Sequence, residues 1–169
     1  MKRKTRGVRR NPPVPSPASR VPSRMTAVVK AKPLAGPAGT EIKSVSVPKP
    51  GPSQVLIRVL ATAVCGSDRH IYKWDESMAS IVKPPRIYGH EFCGEIAGFG
   101  PGVERAHLRE GLYVSAEMHV TCGHCRPCRT GQRHICENTR ILGVHEDGCF
   151  AQYVAVPEYN VIPLDRQVV

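Results

Sequence analysis

Residues 54–70 read QVLIRVLATAVCGSDRH, a β-type run followed directly by a cysteine, a serine, an aspartate and a histidine. Residues 54–64 are rich in β-branched and aliphatic side chains, and their hydrophobicity is partly continuous rather than strictly alternating. Such a run predicts a strand that is buried on both faces. The polar residues that follow predict one or two turns of helix over residues 67–74, in a chain where helix is otherwise scarce.

Shorter β-type runs lie on both sides of this stretch. They are predicted at residues 27–31, 41–47, 91–99, 112–116 and 149–156. Pro and Gly turns separate them, among them a K-P-G-P turn at residues 49–52 and a G-P-G turn at residues 100–102. Many short strands with such turns predict a mainly β domain, either a small barrel or a sandwich.

Composition allows one packed domain of ordinary size. The chain has 169 residues, of which 41% are hydrophobic and 22% are charged. No apolar run reaches the ~18 residues that a membrane-spanning helix needs. The formal charge of +10 comes mostly from residues 1–24, which hold eight Lys and Arg and no acid. The remainder carries 16 basic and 14 acidic residues, so neither a nucleic acid nor a membrane is expected as a partner.

The first 24 residues are rich in Pro and Arg and have little to bury, which predicts a disordered leader. A basic arm that touches an acidic partner and a transit peptide are alternatives, although the prolines oppose an amphipathic helix. A third alternative is that Met25 is the working start. The folded domain is therefore predicted over residues 25–169.

Four of the seven cysteines are crowded into one segment with the spacing C-x2-C-x2-C-x7-C: Cys122, Cys125, Cys128 and Cys136. An odd total with this crowding does not fit a secreted disulfide framework, so a reducing compartment, the cytoplasm, is expected. Four thiolate sulfurs, each ~2.3 Å from a zinc ion, complete its tetrahedral coordination without room for water, as in structural zinc sites. An iron–sulfur cluster is the alternative. The sequence predicts a zinc-stapled loop lobe over about residues 119–140.

A second group of metal-ligating residue types lies on separate segments. Cys65 follows the strongest strand, and His90 and Glu91 open a later strand in a Gly-His-Glu element. Sulfur, imidazole and carboxylate could converge on a zinc with an open position for a substrate. Taken alone, a histidine at the start of a strand is more often structural.

In this order, the C-G-S-D-x-x-H element, the Gly-His-Glu element and the four-cysteine lobe resemble the zinc-containing medium-chain alcohol dehydrogenases. The resemblance covers residues 25–165 and is closest to the L-threonine 3-dehydrogenases at residues 70–76, 118–125 and 138–150. It implies a GroES-like, partly open β-barrel with a few short helices and a zinc-stapled lobe. It also implies two zinc ions, one catalytic and one structural.

The resemblance further implies a role for each residue near the catalytic zinc. Cys65 and His90 would be its ligands, and Glu91 would ligate it directly or exchange with water. Asp68 would orient His90. The remaining implied residues are the proton relay Ser67 and His70, the substrate-side His119, and Trp74 as a candidate for the pocket wall.

The implied reaction is the oxidation of a secondary alcohol with NAD(P), L-threonine to 2-amino-3-oxobutanoate. A sorbitol- or butanediol-type polyol substrate and a non-catalytic zinc-binding module are the alternatives. Family members continue into a Rossmann domain with a G-x-G-x-x-G turn, and no such turn occurs in this sequence. The expectation is a chain truncated before its cofactor domain, inactive alone, whose full-length relatives form homo-oligomers.

The other cysteines and histidines are not expected to bind metal. Cys93 and Cys149 lie in β-type patterns and are interpreted as small buried hydrophobes. His124 lies inside the lobe and could be a spare ligand, but four thiolates already suffice. His107, His134 and His145 are expected on the surface or in loops. The family's usual Val-Gly-Asp is replaced here by the turn at residues 109–112, which read REGL.

Overall fold

The structure, a computed structural model, describes residues 21–104 and 107–165. Most of the predicted leader, residues 1–20, lies outside the described residues. Its last residues are part of the fold: the Ser23 carbonyl accepts a hydrogen bond from the Val47 amide at 3.1 Å, and Arg24 opens the first strand. Ser23 and Arg24, which the sequence assigned to the leader, therefore contact the first two strands.

The described residues form ten strands and three short α-helices. The strands are β1 (Arg24–Lys30), β2 (Thr40–Ser46), β3 (Gln54–Ala63), β4 (Arg86–Ile87), β5 (Glu91–Phe99), β6 (Tyr113–Ala116), β7 (His119–Val120), β8 (Arg140–Ile141), β9 (Tyr153–Pro157) and β10 (Val161–Pro163). The helices are α1 (Gly66–Lys73), α2 (Glu76–Ala79) and α3 (Arg126–Arg129). Short 3-10 turns lie at Gly36–Ala38, Arg133–Ile135 and Glu158–Asn160. None of the described helices is long and apolar enough to cross a membrane.

A five-stranded antiparallel sheet, in the order β10-β6-β5-β3-β9, carries the core. Alternate residues of these strands point to one side and are fully buried, among them Val55, Ile57, Ile96, Val114 and Val156. The pairing of β3 with β5 runs from Val55 opposite Phe99 to Ala63 opposite Glu91. This register lays the end of β3 beside the beginning of β5.

A three-stranded sheet, in the order β2-β1-β4, is connected by backbone hydrogen bonds to the segment that precedes β9 of the first sheet. The Val28 amide donates to the Phe150 carbonyl at 2.8 Å, and the Phe150 amide donates to the Tyr88 carbonyl at 3.0 Å. Residues 149–151, predicted as the start of a strand, form this connection instead, and β9 begins only at Tyr153. The arrangement confirms the predicted mainly β class.

The prediction that β3 is buried on both faces is wrong for its second half. Val55, Leu56 and Ile57 are buried, whereas Leu60 is 45% exposed and Val64, just beyond the strand, is 70% exposed. The cause is the unequal length of the neighbouring strands, because β9 pairs only with residues 54–58 of β3. Beyond residue 58 the strand has β5 as its one sheet partner, with a bulge in that pairing.

A buried lysine ties the end of β1 to the end of α1. Lys30 is completely buried, and its Nζ donates to the Leu34 carbonyl at 2.7 Å and to the Tyr72 carbonyl at 3.2 Å. The same Nζ lies 4.9 Å from the centre of the Trp74 ring. Burial lowers the pKa of the Lys30 amine. These contacts hold the C-terminal end of α1 against the three-stranded sheet.

Replacing Lys30 with methionine should lower the free energy of unfolding by about 2 kcal/mol. Methionine fills a similar volume, but two carbonyl oxygens lose a charged donor, at about 1 kcal/mol or more each. Urea denaturation measures the change. The matched control is Lys32→Met at an exposed position, which should change stability by less than about 0.5 kcal/mol. Equal stabilities of the two variants would show that the Lys30 contacts contribute nothing.

Candidate active site and metal centres

Cys65 lies at the junction between β3 and α1, where it is the N-cap residue of the helix. Its backbone is extended, with φ −79° and ψ 161°, and its amide donates to Asp68 Oδ2 at 2.9 Å. Asp68 is the third residue of α1, where a carboxylate satisfies a free amide and complements the helix dipole. The C-G-S-D sequence therefore presents the Cys65 sulfur at the start of the helix.

His90 follows a glycine that has an unusual conformation and close neighbours. Gly89 has φ +90°, and a Cβ on it would lie 2.3 Å from the Phe150 ring. The Gly89 carbonyl accepts a hydrogen bond from the Cys149 amide at 2.9 Å. This tight packing leaves the His90 side chain 3% exposed, while Glu91, the first residue of β5, is exposed.

The register of β3 with β5 brings three candidate ligands together. One ligand atom each from Cys65, His90 and Glu91 lies within 4.8 Å of the others. Sulfur, imidazole nitrogen and carboxylate oxygen are a donor set that zinc accepts. With three protein ligands, such a site keeps one position for a fourth, exogenous group.

Two buried polar atoms beside this cluster fit a bound metal. Asp68 Oδ1 and His90 Nδ1 lie 3.9 Å apart, and neither has a hydrogen-bond partner in the part of the chain that the structure describes. A metal-ligating histidine usually directs its second ring nitrogen to a carboxylate, and this pair has that arrangement. Burial raises the pKa of Asp68, although the Cys65 amide and the His90 ring oppose the shift. A cation at the cluster would favour the charged form of Asp68.

The four cysteines of the lobe also converge. Their sulfur atoms lie within 4.8 Å of one another, and Cys125, Cys128 and Cys136 are buried. Gly123 has φ +76°, and α3 starts directly after Cys125, so that the chain curls around the sulfur atoms. At the base of the lobe, β7 pairs with β8, which closes the loop close to the predicted limits of residues 119–140.

Backbone amides point at the sulfur atoms of the lobe, as they do around thiolates. The Cys122 amide donates to Cys136 Sγ at 3.3 Å, and the Cys125 amide donates to Cys122 Sγ at 3.4 Å. The hydrogen bond from the Cys125 amide is the main reason that the pKa of Cys122 is lowered to about 6. Burial raises the pKa of Cys128 to about 12. Four adjacent thiolates need a cation to ionise together, so this donor set fits a tetrahedral metal.

The two candidate relay residues lie on α1. Ser67 is half-buried in the first turn, and His70 is exposed one turn later, on the same side of the helix. His70 Nδ1 contacts Asp75 Oδ2 in the connection to α2. Asp75 is the N-cap residue of α2, where its Oδ1 accepts from Ser77 Oγ at 2.7 Å and from the Met78 amide at 3.3 Å. The hydrogen bond with His70 is the main reason that the pKa of Asp75 is lowered to about 2.

His119 and Trp74 lie outside the Cys65 cluster. His119 opens β7 at the base of the lobe, and its Nδ1 lies 2.6 Å from Glu117 Oε1. Trp74 ends α1 in a left-handed conformation, with φ +55°, and packs against the apolar group around Ile71 and Tyr88. The structure therefore places Trp74 in core packing, between that group and Lys30.

Residues 51–166 match the family described as the alcohol dehydrogenase GroES-like domain. The chain belongs to that family. This agrees with the resemblance found in the sequence and confirms the GroES-like fold that the resemblance implies.

Similar proteins include two L-threonine 3-dehydrogenases. The enzyme of Pyrococcus abyssi is 52% identical to this chain over 138 aligned residues. The alignment covers 82% of this chain and 38% of the relative. The enzyme of Caldanaerobacter subterraneus is 51% identical over 144 aligned residues, which are 85% of this chain and 40% of the relative. This GroES-like domain thus spans about two fifths of the length of the relatives it matches.

Solved structures with the same fold include alcohol dehydrogenases. One is a cobalt- and zinc-bound thermostable alcohol dehydrogenase from Pyrobaculum aerophilum, with a TM-score of 0.72 and 31% identity over 83% of this chain and 41% of that chain. Another is a zinc-binding dehydrogenase from Sinorhizobium meliloti bound to NADP, with a TM-score of 0.73 and 32% identity over 86% of this chain and 40% of that chain.

The remaining cysteines and histidines of the GroES-like domain belong to neither candidate ligand group, although Cys149 Sγ donates to the Glu91 carbonyl at 3.7 Å and His124 lies inside the four-cysteine lobe. Cys149 is buried, whereas Cys93 is only half-buried, because it lies on the outer side of β5 beside Tyr113. His107, His124, His134 and His145 are all exposed. The turn at residues 109–112 is closed by a hydrogen bond from the Leu112 amide to the Arg109 carbonyl at 3.1 Å.

Sequence reasoning missed four polar residues of the GroES-like domain that contact candidate residues: Lys30, Asp75, Glu117 and Asn160. A local signal existed for Asp75, because the Asp-Glu-Ser-Met order is typical of a helix N-cap. Glu117 lies two residues from His119, but sequence spacing does not show that their side chains meet. Lys30 and Asn160 act on segments about forty residues away, which no local pattern reveals.

Proposed function

We propose that this domain is the zinc-binding catalytic part of a dehydrogenase that oxidises a secondary alcohol with NAD(P). The proposed substrate is L-threonine and the product 2-amino-3-oxobutanoate. The observation that carries the proposal is the convergence of Cys65, His90 and Glu91 beside the unpartnered Asp68–His90 pair. The similarity to L-threonine 3-dehydrogenases supports the choice of substrate.

Each cluster would hold one zinc ion with a different purpose. Cys65, His90 and Glu91 would hold the catalytic ion, with Asp68 orienting the His90 ring. The four cysteines of the lobe would hold a structural ion. When bound, a zinc with an open position supplies a Lewis acid that makes a substrate hydroxyl more acidic. NAD(P), bound by the part of the enzyme that completes this domain, supplies the hydride acceptor.

The residues of α1 would carry the proton away. Ser67 Oγ accepts the proton of the substrate hydroxyl and passes its own proton to His70. The His70 side chain is 57% exposed, so it can release the proton to water. A hydrogen bond from His70 Nδ1–H to Asp75 Oδ2 would leave the other ring nitrogen free to receive the proton. His119 would lie beside the substrate.

The chemistry of the thiols supports a cytoplasmic location. None of the seven cysteines, all within the described residues, forms a disulfide, and cysteines stay unoxidised in a reducing compartment. We further propose that the completed enzyme, in which this domain is joined to a cofactor-binding part, forms a homo-oligomer. Its partners would be small alcohols.

The test is to join residues 1–169 to the C-terminal remainder of the Pyrococcus abyssi relative and to measure NAD(P) reduction. L-threonine should be oxidised in preference to sorbitol and 2,3-butanediol. Ser67→Ala should lower kcat by about a hundredfold, because a positioned proton acceptor is lost. The control Ser46→Ala, at an exposed position of β2, should leave kcat unchanged.

Two results would count against the proposal. Preference for sorbitol or butanediol would show that the substrate is wrong. No turnover of any alcohol by a protein that holds both zinc ions would show that the domain is a binding module rather than a catalyst.

A further inference from the structure

The segment that leads into the four-cysteine lobe is held by two adjacent side chains from another part of the chain. Asn160 ends the 3-10 turn between β9 and β10 and is 2% exposed. Its Nδ2 donates to the Glu117 carbonyl at 2.6 Å and to the His119 carbonyl at 2.9 Å. We propose that Asn160 is a positioning residue for the Glu117–His119 pair.

The imidazole of His119 depends on the conformation of this segment. Glu117 Oε1 accepts from the His119 amide at 2.9 Å and lies 2.6 Å from His119 Nδ1. The His119 amide is the main cause that lowers the pKa of Glu117, so this carboxylate is ionised at neutral pH and acts as an acceptor. An ionised acceptor keeps a proton on Nδ1 and leaves Nε2 unprotonated.

An asparagine suits this position because its amide has two donors. The two donors match the two carbonyls, and the Glu117 amide returns a hydrogen bond to the Asn160 carbonyl at 2.9 Å. Asn160 Oδ1 is buried and accepts no hydrogen bond from the residues that the structure describes. The fold therefore uses the donor end of this side chain. Aspartate has the same shape but no donor when ionised, and serine has only one.

The neighbouring tyrosine holds the lobe rather than the histidine. Tyr159 Oη accepts from the Thr121 amide at 3.0 Å and donates to the Thr121 carbonyl at 2.6 Å. Its ring faces the guanidinium of Arg133, whose Cζ lies 5.3 Å from the ring centre. Thr121 and Arg133 precede the ligands Cys122 and Cys136, respectively. One short turn thus makes two separable attachments, so Tyr159 provides a matched control.

The importance for catalysis of the contact between Asn160 and the Glu117–His119 pair depends on the proposed function, in which His119 lies beside the substrate. The contact itself can be measured without turnover. Nitrogen-15 NMR of the histidine rings in the zinc-loaded chain reports which ring nitrogen carries the proton. The exposed His134 serves as the internal reference for a ring free to exchange between tautomers.

In the unaltered chain, His119 should show a single Nδ1–H tautomer. In Asn160→Ser, its signals should shift toward the averaged values of His134, with zinc content unchanged. Tyr159→Phe should leave the His119 signals in place and lower the midpoint of thermal unfolding. Unchanged His119 signals in a folded Asn160→Ser chain would overturn the proposal and show a role in stability alone.

A second measurement needs no substitution, in case Asn160→Ser does not fold. The side-chain amide protons of Asn160 should exchange with solvent at least tenfold more slowly than those of the exposed Gln132. Equal exchange rates would overturn the proposal. In the completed enzyme, Asn160→Ser should raise the KM for threonine about tenfold with a smaller change in kcat. An inactive completed enzyme would contradict the proposed function, while the NMR result would still decide the role of Asn160.

Discussion

Replacing Cys128 with serine should remove one zinc ion per chain and lower the free energy of unfolding by about 3 kcal/mol or more. The apolar group inside the lobe consists of the four cysteines themselves, and the nearby Ile135 is 55% exposed. Little hydrophobic burial is left to hold the lobe once the metal is lost. The magnitude follows from structural zinc sites, where binding of the metal contributes ~10–16 kcal/mol to folding and one lost ligand removes part of it.

Metal analysis by mass spectrometry and thermal unfolding together check this prediction. Cys93→Ser is the matched control, because Cys93 is a half-buried thiol outside both clusters. That variant should keep two zinc ions and nearly the same midpoint. A Cys128→Ser chain that retained both zinc ions and its stability would contradict the structural role of the lobe.

Replacing His90 with alanine should remove the other zinc ion and lower turnover of the completed enzyme about a thousandfold or more. Two remaining ligands, one of them the exposed Glu91, bind zinc far more weakly than three. A Lewis acid stabilises the transition state by several kcal/mol, and each ~1.4 kcal/mol corresponds to a tenfold change in rate. The four-cysteine lobe should keep its metal, because no residue is shared between the two clusters.

Zinc content and the turnover rate should change together in the variants of His90, Asp68 and the control His134. His134→Ala, at an exposed position outside both clusters, should keep two zinc ions and full activity. Asp68→Asn is the graded case, with an expected tenfold to hundredfold loss of metal affinity, as found for residues that orient metal ligands. A His90→Ala chain that still held two zinc ions would show that Cys65, His90 and Glu91 do not form a metal site.

Local patterns predicted much of the fold. The strand at residues 91–99 has the predicted limits, and α1 differs from its predicted range by one residue at each end. These elements are set by hydrophobic alternation and by the N-cap at Cys65, which act over a few residues. Exposure was harder to predict, since the second half of β3 has the same aliphatic composition as the first but only one neighbouring strand.

The sequence alone was sufficient to predict the four-cysteine lobe, because its ligands lie within fifteen residues and closing such short loops costs little conformational entropy. It also determined the family, through ordered motifs. The proximity of Cys65 to His90 across 25 residues, and the contact of Asn160 with the His119 carbonyl across 41, could be seen only in the folded chain. The physical reason is that strand register and turn packing are cooperative properties of the whole sheet, to which local spacing contributes little.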